Sequence, residues 1–145
     1  LITSSNNLIE DNVITGNTGA GVVINSTGVN NRITKNLIFA NTGIEIDLGG
    51  DGRTVNDPLD PDTGANNLQN TVAITVAEPD EDDAIVRGTS NGAANSTFRI
   101  ELFASSAADA TGTGEGRQFL DAITINTNAS GEASFDYTAL GVGLG

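Results

Sequence analysis

The 145-residue chain has no cysteine, histidine, methionine or tryptophan. Without thiols, neither a disulfide framework nor a thiolate metal site can form. Without imidazole as well, there is no His-based catalytic triad and no ordinary zinc or copper centre. Basic residues are also scarce: 6 Lys and Arg stand against 19 Asp and Glu, a formal net charge of -13, with a pI near 4.1. Nucleic acid and anionic membrane surfaces are bound by clustered Lys and Arg that displace counterions, so both are excluded as partners. No apolar run approaches the roughly 20 residues of a membrane span, which excludes membrane insertion by a helix, and no signal peptide is recognisable. The chain begins at Leu1 in mid-pattern, which is expected of a segment of a longer or processed polypeptide.

Asparagine, by contrast, is abundant and regular. Asn7, Asn12 and Asn17 recur as Asn31, Asn36 and Asn41, each displaced by 24 residues, and Ile14 recurs as Ile38. The apolar stretches between them are short and mostly β-branched, as in Val13-Ile14 and Val22-Val23-Ile24. A helix would need apolar residues at i, i+3, i+4 and i+7, so the pattern predicts strands. Short strands turning at regular Asn positions with a period of 24 describe coils of a β-solenoid. Asn is expected to serve the corners by adopting the left-handed conformation, with side chains hydrogen-bonding from coil to coil.

Residues 43–70, GIEIDLGGDGRTVNDPLDPDTGANNLQN, form a junction. Asp47, Asp51, Asp57, Asp60 and Asp62 crowd this stretch with only Arg53 to offset them. Carboxylates folded that closely repel one another by several kcal/mol at low effective dielectric unless a cation, a turn hydrogen bond or water intervenes. A hard, oxygen-liganded cation fits them, and calcium is the expected cofactor. The stretch DPDTGAN at 60–66 resembles a calcium loop but departs from the EF-hand pattern. Gly64 and Thr71 stand where that pattern has a third side-chain ligand and its bidentate Glu.

Beyond Asn70, apolar residues alternate with polar ones. Val72, Ile74 and Val76 are expected on one face, Phe98, Ile100 and Leu102 on another, and Phe135 with Tyr137 on a third. Turn signals separate these runs at 78–83, at Asn91-Gly92, at 112–116 and at 128–131. The acidic run 78–83 reads as a solvated turn.

The Asn repeat together with this junction resembles the end of the right-handed parallel β-helix repeat region of large bacterial and archaeal surface proteins. The matching positions are 43, 46–52, 56–57, 60–64 and 66–70, and the likeness continues through 98–103, 114–120 and the SFDYTAL run. The resemblance implies an all-β chain: terminal coils of a right-handed parallel β-helix over 1–47, an Asp-rich closing loop over 48–70, and an antiparallel β-sandwich-like module over 71–145. Two departures accompany it. The family's cysteine before GEG is absent, and its last strand, rich in Thr and Ala, would lie beyond Gly145.

The expected function is accordingly a non-enzymatic, structural or adhesive segment at the cell surface or outside the cell of a prokaryote. Its partners would be upstream coils or other copies of the chain, meeting at open strand edges to build a filament; Leu1 to Asn17 supplies no polar cap to close such an edge. Glycans are a further possible partner. A carbohydrate-binding adhesin module would want an aromatic platform, and Tyr137, the only tyrosine, is expected to face the core. The end of a polysaccharide lyase or hydrolase would need close carboxylates in a cleft, for which Glu45 and Asp47 are the available pair, or a base such as Arg32 or Lys35. The expectation is that Glu45 is a solvated strand residue, Asp47 opens the loop, and no residue is catalytic.

Overall fold

The computed structural model describes residues 1–25, 27–106 and 114–142. The fold is all-β, with eleven strands and no α-helix among the described residues. Contacts group it into two units, one of residues 1–55, 62–68 and 101–120 and the other of residues 56–61, 69–100 and 121–145.

In the first unit the sequence repeat becomes parallel pairing. Strand β1 (Leu8–Glu10) lies beside β4 (Arg32–Thr34), β2 (Val13–Thr15) beside β5 (Leu37–Phe39), and β3 (Val22–Ile24) beside β6 (Ile46–Leu48). In all three pairs residue i faces residue i+24, as in Leu8 with Arg32, Val13 with Leu37 and Val22 with Ile46. The ladder continues through the corners, where the amides of Arg32, Leu37 and Thr42 donate to the carbonyls of Asn7, Asn12 and Asn17 at 2.8, 2.8 and 3.0 Å. Ile2 makes an isolated parallel bridge to Ile24.

Strands β1, β2, β4 and β5 are only three residues long because left-handed residues bound them. Those residues are Asn6, Asp11 and Gly16 in the first copy (φ 62, 55 and 74) and Asn30, Lys35 and Ala40 in the second (φ 57, 54 and 51). This corrects the expectation for the corners: the left-handed residue is the one before each periodic Asn. The Asn itself has its side chain turned along the stack, where its amide can bridge the two copies. Asn31 and Asn36 are accordingly 7% and 4% exposed. The interior is filled by Val22, Ile24 and Ile38, all buried. Copies approach closely at glycines: a Cβ on Gly21 would lie 2.4 Å from Ile38 Cγ2 and 2.8 Å from the Glu45 carbonyl, and one on Gly43 would lie 2.7 Å from the Ala20 nitrogen.

In the second unit, β7 (Ala73–Asp80), β8 (Asp83–Asn91) and β11 (Glu132–Ala139) form an antiparallel sheet in the order β11-β8-β7. Ala84 and Val86 of β8 and Phe135 and Ala139 of β11 are buried on alternate positions. Phe135 faces Gly88, where a Cβ would meet the ring at 2.5 Å. The expectation for β7 does not hold. A register shift between Ile74 and Val76 sets them against Gly88 and Arg87, consecutive positions that face opposite sides of the sheet, and Ile74 is 60% exposed. The acidic run is a tight hairpin turn at Glu81 and Asp82, with its flanks paired in β7 and β8.

Strands β9 (Thr97–Ala104) and β10 (Gln118–Asn126) form a two-stranded sheet. Hydrogen bonds from Arg117 N to Ala104 O and from Thr127 N to Ser96 O mark its two ends as antiparallel. Phe98 is half-buried, and Ile100 and Leu102 are buried on the same alternation, as the sequence predicts. Of the turn signal at 112–116, residues 112 and 113 lie outside the described residues.

Candidate functional site

The Asn ladders run between the copies. Asn31 Oδ1 accepts from the Asn7 backbone and side-chain nitrogens at 3.0 and 2.7 Å, and Asn36 Oδ1 does the same for Asn12 at 3.0 and 3.1 Å. Asn41 Oδ1 repeats this with Asn17 at 3.1 and 2.8 Å. The second copy has corresponding amides on its far side, and they are met by side-chain oxygens instead of a further strand. Asn31 N donates to Asn66 Oδ1 at 2.9 Å, Lys35 N to Glu101 Oε2 at 2.7 Å, and Ala40 N to Glu115 Oε1 at 2.6 Å.

Local structure places each of these three acceptors. Asn66 sits in a turn over Ala65–Leu68 in which Asn66, Asn67 and Leu68 are left-handed, and its Nδ2 returns a hydrogen bond to Asn31 O at 2.7 Å. Glu101, on β9, also accepts from the Thr34 hydroxyl. Glu115 belongs to a segment laid along β5: Gly116 N donates to Ile38 O at 2.9 Å, and the Arg117 guanidinium lies 4.6 Å from the centre of the Phe39 ring. Gly116 leaves room for the Phe103 ring, 3.2 Å from where a Cβ would be. Glu101 and Glu115 carry no sequence signal for this role, since neither belongs to a repeat. Asn66 does belong to the quoted junction, but at 35 residues from Asn31 it falls outside the period of 24.

The five junction aspartates separate into two groups. Asp57, Asp60 and Asp62 each offer an oxygen within 4.8 Å of the others, the one such acidic group among the described residues. Asn70 shapes it: its Oδ1 accepts from Asp57 N at 3.0 Å, its Nδ2 donates to Asp57 O at 2.7 Å, and its own amide donates to Asp60 Oδ1 at 3.0 Å. Asp57 Oδ1 and Asp62 Oδ1 are both withdrawn from water and have no hydrogen-bond donor. Asp47 and Asp51 do not join this group. Asp47 is 8% exposed and holds its own loop, with Oδ1 accepting from Gly50 N at 2.9 Å and Oδ2 from Gly52 N at 3.1 Å. Asp51 is exposed in that loop.

The residues weighed for catalysis are dispersed in role. Both oxygens of Asp47 are engaged by turn amides, while Arg32 and Lys35 are exposed. Tyr137 keeps the alternation of Phe135 and Ala139 but is half-buried, and its hydroxyl donates to Asp121 at 2.6 Å. That hydrogen bond holds the tyrosine above its ordinary pKa and the carboxyl below its own. Among the described residues no helix is long and apolar enough to cross a membrane. No protein-family model matches the chain, and no curated protein matches it.

Proposed function

We propose that the first unit carries terminal coils of a right-handed parallel β-helix and that the chain is a non-enzymatic structural or adhesive segment of a surface protein outside the cell. One observation carries this reading. Three parallel strand pairs share a single displacement of 24 residues, and the amides at their far edge are met by Asn66, Glu101 and Glu115. Such an arrangement builds a stack and ends it, which is the work of a structural terminus. The acidic chain suits a solvated surface, and further coils or other copies of the chain are its partners on the side of β1 and β2.

Calcium belongs to the same reading. Three carboxylates that converge within 4.8 Å, two with a shielded oxygen lacking any donor, fit a hard divalent cation that takes oxygen ligands at roughly 2.3–2.6 Å. Asp57, Asp60 and Asp62 would hold it, and its charge would offset their mutual repulsion.

An assay for cleavage separates this reading from the end of a glycan-degrading enzyme. The chain is incubated with acidic polysaccharides, and new reducing ends or unsaturated products are measured. No product is expected from the wild-type chain. Product formation that disappears in Glu45→Gln would overturn the non-enzymatic reading.

A further inference from the structure

We propose that Asn66, Glu101 and Glu115 together form a stop that keeps a second copy of this chain from adding a strand to the far edge of the repeat. The repeat itself identifies the groups being blocked. In the first copy, Asn7 N donates to Asn31 Oδ1, Asp11 N to Thr34 O at 3.4 Å and Gly16 N to Ala40 O at 3.1 Å. Moving each donor by 24 residues gives Asn31, Lys35 and Ala40, whose amides therefore point to where a third layer would lie. Those three amides are the ones that Asn66, Glu101 and Glu115 take.

Two of the three acceptors are carboxylates, and this makes the stop one-sided. A backbone strand carries both donors and acceptors along each edge, so it passes the ladder on. An ionised carboxylate only accepts, so the ladder ends there. An incoming strand would also have to displace or desolvate two charges, the device by which natural sheets keep their edges from pairing. Segment 115–117 adds a steric cover, with Gly116 bridged to Ile38 and Arg117 stacked on Phe39. Association through this edge is therefore closed, and any growth between copies has to use another surface. The inference rests on contacts inside the first unit alone, so it stands or falls independently of the extracellular role and of calcium.

The test compares three forms of the 145-residue chain at about 0.15 M salt, where exposed charges more than roughly 8 Å apart are screened. These are the wild type, Glu101→Ala/Glu115→Ala and Glu101→Gln/Glu115→Gln. Circular dichroism checks the fold, light scattering reads molecular mass against concentration, and hydrogen exchange reads the Lys35 and Ala40 amides. The alanine pair is expected to exchange at those amides at least about tenfold faster when dilute, and to gain mass with concentration relative to the wild type. The glutamine pair keeps the accepting oxygens but removes both charges and adds donors, so it is expected to protect the Lys35 and Ala40 amides as the wild type does while gaining mass with concentration. A folded alanine pair with wild-type mass and wild-type protection would overturn the proposal. So would a glutamine pair whose Lys35 and Ala40 amides exchange as fast as those of the alanine pair. If the alanine pair loses its β-sheet signal, Glu115→Ala alone is read by the same criteria.

Discussion

Asn36 makes four hydrogen bonds from a buried position: its oxygen accepts twice from Asn12, and its Nδ2 donates to the carbonyls of Ile9 and Thr34 at 2.8 and 3.0 Å. Asn41 makes the same set at a half-buried position, with longer bonds from Nδ2 of 3.1 and 3.2 Å. The cost of removing either depends on how completely the abandoned groups are kept from water. Asn36→Ala is expected to destabilise the chain by about 2–4 kcal/mol and Asn41→Ala by about 1 kcal/mol. Denaturant unfolding of the two variants measures both, and equal losses would show that burial does not set the strength of the ladder. At this scale the sequence is informative wherever a residue repeats. The periodic Asn residues announce the ladder, but their neighbours Lys35 and Ala40 occupy left-handed corners that no propensity favours. Backbone hydrogen bonds offset the local cost there: Lys35 N and Ala40 N donate to Glu101 and Glu115, and Ala40 O accepts from Gly16 N.

The strands of the repeat are legible as elements because their period survives in the sequence, down to the register of every parallel pair. The strands of the second unit are legible only by alternation, and β7 shows the weakness of that signal. One inserted residue sends Ile74 and Val76 to opposite faces. The junction loop was legible as an acidic cluster, but not in its division. Asp47 looks like its neighbours in sequence, yet the glycines after it turn two amides back onto its carboxylate. Calcium should therefore act on 57–62 and leave 47–52 alone. At about ten times its dissociation constant, a ligand bound only by the folded state adds about 1.4 kcal/mol, which for a chain of this size raises the melting temperature by about 3–6 °C. Melting with calcium and with chelator should differ by that amount in the wild type and in Asp47→Asn, and should coincide in Asp57→Asn and Asp62→Asn. Coincident curves for the wild type would remove the site.

For the whole molecule, the central claim is that a parallel stack with a displacement of 24 residues is brought to an end by side-chain oxygens supplied from later in the chain. Glu101 and Glu115 could not be read from sequence because their role is set by where a distant hairpin comes to lie, whereas repeats report only on neighbours in the stack. The acidic balance of the chain leaves ample carboxylates for this use. Scalar couplings transmitted across hydrogen bonds in the labelled wild-type chain test the claim most directly. They should link the nitrogens of Arg32 and Leu37 to the carbonyl carbons of Asn7 and Asn12. The nitrogens of Asn31, Lys35 and Ala40 should couple to the side-chain carbonyl or carboxyl carbons of Asn66, Glu101 and Glu115. Couplings from those three nitrogens to backbone carbonyls, or exchange of their amides at the rate of an unstructured peptide, would contradict it.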